Sequence, residues 1–287
     1  MTAPRAALPP GEVDLHMHST ASDGSLPPSQ VIAAASAARL AAVALTDHDT
    51  MAGVAEAAET GRRLGVRVIR GVELSAHHGA REIHVLALHI SRPAIIESRL
   101  IEFREARERR AVLIVGRLRA LGAAVDVDAV MQEAAGGAVG RPHIARALIR
   151  GGFVRDSREA FERYLGAGRA AFVPKQRLEV RDAIALTHSA GGLAVWAHPG
   201  AECRRARLEP LVGMGLDGVE VRHPGHLAED VSRIAALADF LGLLPSGGSD
   251  WHGSLEGPRS IGSMHIPAHW LERQDEAAAK RIAAEVA

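Results

Sequence analysis

Short apolar runs alternate with helical stretches along most of this chain, and nearly every run ends in a histidine or a carboxylate. The runs are Glu12–His16, Ala42–Thr46, Val66–Gly71, Glu82–His89, Leu193–Ala197, Gly218–Val221 and Leu243–Ser246. Between them lie stretches of helical pattern at Pro28–Arg39, Gly53–Leu64, Val180–Ala190, Leu208–Met214 and Leu227–Leu241. Strand–helix alternation predicts parallel strands joined by helical crossovers, an α/β fold. This number of strands suits a barrel better than an open sheet.

One segment breaks the rhythm. From about Ala94 to Ala170 no strand signal appears. Glu97–Leu121 reads as a long Arg/Glu-rich helix with Leu100, Phe103, Leu113, Ile114, Leu118 and Leu121 towards one side. Val127–Ala135 follows an Asp126 cap, Pro142–Arg150 is stopped by Gly151 and Gly152, and Ser157–Leu165 starts at a Ser157 cap. The segment therefore reads as a helical insertion. Residues 12–95 and 171–287 are expected to form the barrel and 96–170 the inserted domain. Residues 1–11, Ala/Pro-rich and without the apolar core of a signal peptide, are expected to be a disordered tail.

Composition narrows the function. The formal net charge is +0 at pH 7, which argues against an extensive duplex nucleic-acid surface and for a small substrate held at one focused site. No apolar run approaches the ~18 residues needed to span a bilayer. The single cysteine, Cys203, excludes an internal disulfide framework, and a reducing cytoplasm is the expected compartment. Only Lys175 and Lys280 are lysines, so each is more informative than usual. The 15 histidines are the unusual count, and imidazole is the commonest protein metal ligand.

Position decides which histidines matter. His16 and His18 end the first run; residues i and i+2 of a strand share a face, so both rings can chelate one ion. Thr46-Asp47-His48-Asp49 ends the second run, Gly71-Val72-Glu73-Leu74 the third, Ala197-His198-Pro199-Gly200 a later one, and Gly248-Ser249-Asp250-Trp251-His252 the last. The C-terminal ends of the strands form the rim where α/β barrels build their active sites. Imidazoles mixed with carboxylates, with no thiolate, suit Zn, Mn or Fe and shared carboxylate bridges rather than a closed structural zinc site. Glu73, with two oxygens, is the natural bridge.

The motifs His16-Met-His18-Ser-Thr-Ala-Ser-Asp23-Gly, Leu-Thr-Asp47-His48-Asp49-Thr, Gly-Val-Glu73-Leu-Ser, Glu-Ile-His84-Val-Leu, Val-Trp-Ala-His198-Pro-Gly and Gly-Ser-Asp250-Trp-His252 resemble those of the polymerase and histidinol phosphatase (PHP) superfamily. The resemblance runs from about Val13 to His252. Ser-Asp23-Gly and Gly-Arg141-Pro-His143 make the chain most similar to stand-alone PHP phosphoesterases acting on nucleoside 3′,5′-bisphosphates and the 5′ ends of short RNAs. It implies a distorted seven-stranded (β/α) barrel with an inserted helical domain and a trinuclear centre of Mn²⁺, Fe²⁺ or Zn²⁺. It also implies that His16, His18, Glu73 and Asp250 share one ion, Glu73, His84 and His198 a second, and Asp23, His48 and His252 a third.

The expected reaction is hydrolysis of a phosphate ester by a metal-activated hydroxide, with Glu73 as the bridging catalytic carboxylate. His226 is expected to protonate the leaving oxygen, a role that His223 could also take and for which the resemblance favours His226. Arg141, His143 and Lys175 are the candidate substrate contacts: the first two precede a helix where backbone N–H groups and a guanidinium can converge on an anion. Asp47 and Asp49 read as groups orienting His48. His77 and His78 read as solvated turn residues, His89 as structural, and His188, His265 and His269 as surface residues. The competing readings are a histidinol-phosphate phosphatase and a non-catalytic metal-binding module. The complete ligand set and the insertion with Arg141 and His143 favour the nucleotide phosphoesterase.

Overall fold

The computed structural model describes residues 11–134, 139–174 and 177–286. Residues 1–10 of the expected tail, and Lys175, lie outside the described residues. The strands are β1 (Glu12–Met17), β2 (Ala42–Leu45), β3 (Arg67–Arg70), β4 (Val72–His78), β5 (Arg81–Leu88), β6 (Leu193–Trp196), β7 (Gly218–Arg222), β8 (Leu244–Gly247) and β9 (Ile266–Pro267). They form a four-stranded sheet in the order β3-β2-β1-β9 and a five-stranded sheet in the order β4-β5-β6-β7-β8.

The α/β alternation is present, but the ladders form two sheets rather than one closed ring among the described residues. Apart from the short antiparallel β1–β9 pair, the parallel expectation holds for β1–β2, β2–β3, β6–β7 and β7–β8 and fails for β4–β5 and β5–β6, which are antiparallel. The cause is the β4–β5 hairpin. Gly79, at φ 64°, takes the left-handed backbone its turn requires. His77, expected in a solvated turn, is instead buried in β4 opposite Glu82.

The two sheets meet through single bridges at the ends of β1 and β2, Met17 with Trp251 and His48 with Glu73. Backbone bonds reinforce both junctions: Asp250 N–H donates to the His16 carbonyl at 2.9 Å, and Asp49 N–H donates to the Glu73 carbonyl at 2.9 Å. Within the five-stranded sheet, Ala197 N–H reaches the His84 carbonyl at 3.0 Å. These contacts gather the C-terminal ends of β1, β2, β6 and β8 and the start of β4 at one place.

Apolar side chains secure this arrangement from below. One cluster packs Val13, Leu15, Leu86, Leu88 and Val195 with Leu271. A second packs Met17, Ile32, Val43 and Leu45 against Trp251. Leu271 belongs to a C-terminal helix, Ala268–Val286, that the sequence pattern left unread; its buried Gln274 donates to the Pro245 carbonyl at 2.9 Å.

The chain divides into two compact units, one comprising the residues up to Glu97 together with those from Leu178, the other Ser98–Arg177. The second unit is helical and has its own core, in which Ile114, Leu118, Val130, Ile144, Leu148 and Leu165 are buried. The long helix runs Pro93–Ala120. Leu100, Ile114 and Leu118 are buried as the pattern predicts, whereas Leu113 and Leu121 are exposed, because the run of apolar residues is wider than the face that packs. Asp126 accepts from Val127 N–H at 2.8 Å. The cap of the next-but-one helix is Asp156 rather than Ser157: its carboxylate accepts from Glu159 N–H at 2.8 Å. Among the described residues no helix is long and apolar enough to cross a membrane.

Two glycines make opposite predictions. A Cβ on Gly248 would lie 2.5 Å from both Cβ and N of His16, a clash with backbone that cannot yield cheaply. Gly248→Ala is expected to lower stability by about 1–3 kcal/mol. A Cβ on Gly116, inside the long helix, would meet nothing within 4 Å. Gly116→Ala is expected to raise stability by about 0.5–1 kcal/mol through helix propensity. Urea denaturation of the two variants reads both signs.

Candidate metal centre

Glu73 has no exposed surface and lies at the centre of the rim. Its Oε2 is 3.1 Å from His16 Nε2, 3.2 Å from His18 Nε2 and 3.3 Å from His48 Nδ1. Its Oε1 is 2.7 Å from His84 Nδ1 and 2.9 Å from His198 Nε2. Both carboxylate oxygens are thus encircled by five imidazole nitrogens drawn from four separate segments. Asp250 Oδ1 adds a second carboxylate, 3.4 Å from His16 Nε2 and 3.3 Å from His18 Nε2. Asp23 supplies a third, 3.3 Å from His252 Nε2 and 3.8 Å from His48 Nε2.

These side chains fall into overlapping donor groups whose ligand atoms lie within 4.8 Å of one another: His16, His18, Glu73 and Asp250; His48, Glu73 and His84; and His18, Asp23, His48 and His252. Every position named from the sequence as a ligand is therefore brought to one rim. The sharing is broader than the resemblance implied. His18 and His48 each enter two groups, and His198 joins through Glu73 Oε1.

The donor set fits divalent cations. Nitrogen lone pairs and carboxylate oxygens converge at distances where they repel unless a proton or an ion stands between them. His18 Nδ1 is buried and has no hydrogen-bond partner among the described residues, so one ring nitrogen aimed at the Asp23 side waits for a ligand. Protonation partly substitutes for ions. Burial raises the Glu73 carboxyl, but the His16, His18 and His198 rings hold it well below the usual range. Burial likewise opposes ionisation of Asp23, yet the His252, His48 and His18 rings bring it down to about 2. Burial disfavours a charged His84, yet Glu73 and Glu82 push it up to about 9.

The backbone is strained at the same place. His198 has φ 32°, Asp250 φ 50° and Asp49 φ 50°, left-handed values that non-glycine residues rarely adopt. Each sits at a sharp turn off a strand end; the turns at His198 and Asp250 point their side chains across the rim, and the turn at Asp49 points its carboxylate to β4.

Supporting groups were less legible. Asp47 does not orient His48. Its carboxylate accepts from Ser19 N–H, Ser19 Oγ–H and Ser22 Oγ–H, each at 2.7 Å, and so fixes the loop that carries Asp23. Asp49 accepts from Ser75 N–H at 2.9 Å and ties the second strand's end to β4. Glu220, fully buried, was missed. Its Oε1 lies 3.0 Å from His16 Nδ1 and its Oε2 accepts from His198 N–H at 2.7 Å. A carboxylate inside the apolar run Gly-Val-Glu-Val was the available signal. Asp14, in Val-Asp-Leu, is equally buried and receives Ser249 N–H and Gly262 N–H, both at 2.9 Å.

A cavity of about 350 Å³ opens over the rim, lined by His48, Glu73, His84, His198, His223 and Asp250, with Gly225, His252 and Arg259 completing it. His223 stands in its wall with Nε2 3.2 Å from Asp250 Oδ2. The ring of His226 faces away: its Nδ1 is 3.0 Å from the Val221 carbonyl and its Nε2 accepts from Gly200 N–H at 3.1 Å. Arg141 and His143 belong to the helical unit. Arg141 donates to the Leu165 carbonyl at 3.0 Å and lies over the Phe161 and Phe172 rings, and His143 Nδ1 accepts from Gly140 N–H at 2.9 Å.

The PHP domain model matches residues 14–114. A 3′,5′-nucleoside bisphosphate phosphatase of Chromobacterium violaceum is 38% identical over 87% of this chain and 90% of its own length. The chain belongs to the PHP family. A 5′-3′ exoribonuclease of Haemophilus influenzae is 36% identical over 90% of this chain and 92% of its own. A solved putative metal-dependent phosphoesterase from Bifidobacterium adolescentis superposes with a TM-score of 0.72 at 31% identity, covering 93% of this chain and 96% of that one.

Within this PHP chain Glu220 makes a separable prediction. Glu220→Gln keeps the shape but removes the charge that holds a proton on His16 Nδ1 and leaves Nε2 free to ligate. Metal affinity is expected to fall about 10–100-fold, read by metal content after dialysis against graded chelator, with the circular dichroism spectrum unchanged. Unaltered metal retention would reduce Glu220 to a packing residue.

Proposed function

We propose that this chain is a metal-dependent phosphoesterase that hydrolyses phosphate esters of nucleotides, taking nucleoside 3′,5′-bisphosphates or the 5′ ends of short oligoribonucleotides. The carrying observation is one buried carboxylate, Glu73, shared between donor groups that meet beneath an open cavity. The names of the full-length relatives support the substrate class. The two sheets, joined at the rim, are read as a distorted seven-stranded barrel, and Ser98–Arg177 as a domain inserted into it.

His16, His18, Glu73 and Asp250 would hold one ion, Glu73, His84 and His198 with His48 a second, and Asp23, His48 and His252 a third. Manganese, iron and zinc all suit this set. When bound, such ions supply positive charge to the phosphate oxygens and acidify water.

The chain's own residues do the rest. Glu73 holds the rings of five histidines in register and keeps its charge under burial. Glu220 orients His16, and its contact with His198 N–H steadies that strained turn. Proton delivery to the leaving oxygen is assigned to His223, because its ring lines the cavity, rather than to His226, whose two nitrogens are taken by backbone.

Manganese-loaded protein is expected to release phosphate from adenosine 3′,5′-bisphosphate or to shorten a 5′-phosphorylated oligoribonucleotide. Release from histidinol phosphate alone would overturn the substrate class. His48→Ala and Asp250→Ala are each expected to lower kcat/KM by about a thousandfold or more. His223→Gln is expected to lower kcat more than His226→Gln does; the reverse order would return the acid role to His226.

A further inference from the structure

The cavity over the rim is built almost wholly from imidazoles and carboxylates, yet a phosphate ester arrives with negative charge of its own. Among the described residues one permanently cationic side chain lines that cavity, Arg259. We infer that Arg259 is the anchoring residue for the substrate's phosphoryl oxygens, an inference that rests on the phosphoesterase reading.

Three features set it apart from an incidental surface arginine. Its Nη1 donates to Asp250 Oδ2 at 2.7 Å, so the guanidinium is fixed directly beside the donor group that contains Glu73. A guanidinium carries five N–H donors in a rigid fork matched to the spacing of phosphate oxygens. Both of its hydrogen bonds use Nη1, the second a longer one to the Asp250 carbonyl, which leaves Nε–H and the Nη2 donors without an acceptor among the described residues. The side chain is 47% exposed, so this free edge is open to a ligand.

The loop that carries Arg259 is held at both ends of its turn. Ser260 donates through N–H and Oγ–H to the Gly257 carbonyl, at 3.0 and 2.7 Å, and Ser263 Oγ–H donates to the Pro258 carbonyl at 2.6 Å. Gly257 has φ 80°, the left-handed value this turn needs. Beyond it, Gly262 N–H donates to Asp14, whose other oxygen accepts from Ser249 N–H beside Asp250. The same buried carboxylate thus references the loop and the rim to each other. An Arg fork pre-positioned in this way clamps a terminal phosphomonoester, with two or three oxygens to offer, better than an internal diester with its two free oxygens.

The test separates this role from simple support of Asp250. Arg259→Ala and Arg259→Lys are compared with the unaltered protein in metal content, in calorimetric binding of inorganic phosphate to the manganese-loaded protein, and in steady-state hydrolysis of adenosine 3′,5′-bisphosphate. For Arg259→Ala, phosphate binding is expected to weaken about tenfold or more and KM to rise similarly, with metal content unchanged and partial recovery in Arg259→Lys. Unchanged phosphate affinity would overturn the inference, and so would loss of metal with phosphate affinity falling only in proportion. If the unaltered protein binds phosphate through Arg259 but hydrolyses none of the tested esters, the inference stands and the phosphoesterase reading falls.

Discussion

Burying a carboxylate without partners costs several kcal/mol, and this fold buries Glu73, Glu220 and Asp14 with essentially no exposed surface. Each is met by a fixed set of donors: histidine rings around Glu73, a ring and a backbone N–H for Glu220, and backbone N–H groups for Asp14. Those donors come from different strand ends, so satisfying them dictates where the strands must stop relative to one another. The position of the rim follows from this requirement, and the apolar clusters beneath it only make the arrangement affordable.

The strand ends were readable because the chemistry-bearing residues recur there. His16 and His18 declared themselves by their i, i+2 spacing, and His48, Glu73, His198 and Asp250 by closing apolar runs. His84, which the sequence alone could place as a core histidine, sits 2.7 Å from Glu73 because β5 runs antiparallel to β4 and returns it to the rim. That reversal was hidden: the tight turn at Gly79 left β4 without a visible boundary of its own, and His77 and His78 were read as turn residues in consequence.

What failed to show in the sequence depends on distance along the chain. Asp47 serves a loop some way before it, Glu220 supports a ring from the first strand, and Arg259 reaches the cavity from a segment with no regular pattern. Local spacing carries no information about such pairings. The choice between His223 and His226 was hidden for a related reason: both follow β7, and the turn through Gly225 decides which ring faces the cavity.

The two sheets touch at the rim through single bridges, one beside His18 and one between His48 and Glu73. The residues proposed to hold ions therefore also lie at the seam of the domain. A ligand bound only by the folded form stabilises it in proportion to the logarithm of its concentration, and here that ligand would sit across the join itself. Depleting the cation would remove that tie and leave the two sheets joined by the backbone bonds at the rim and by the apolar core they share. Availability of metal would then set how long the protein survives as well as how fast it turns over.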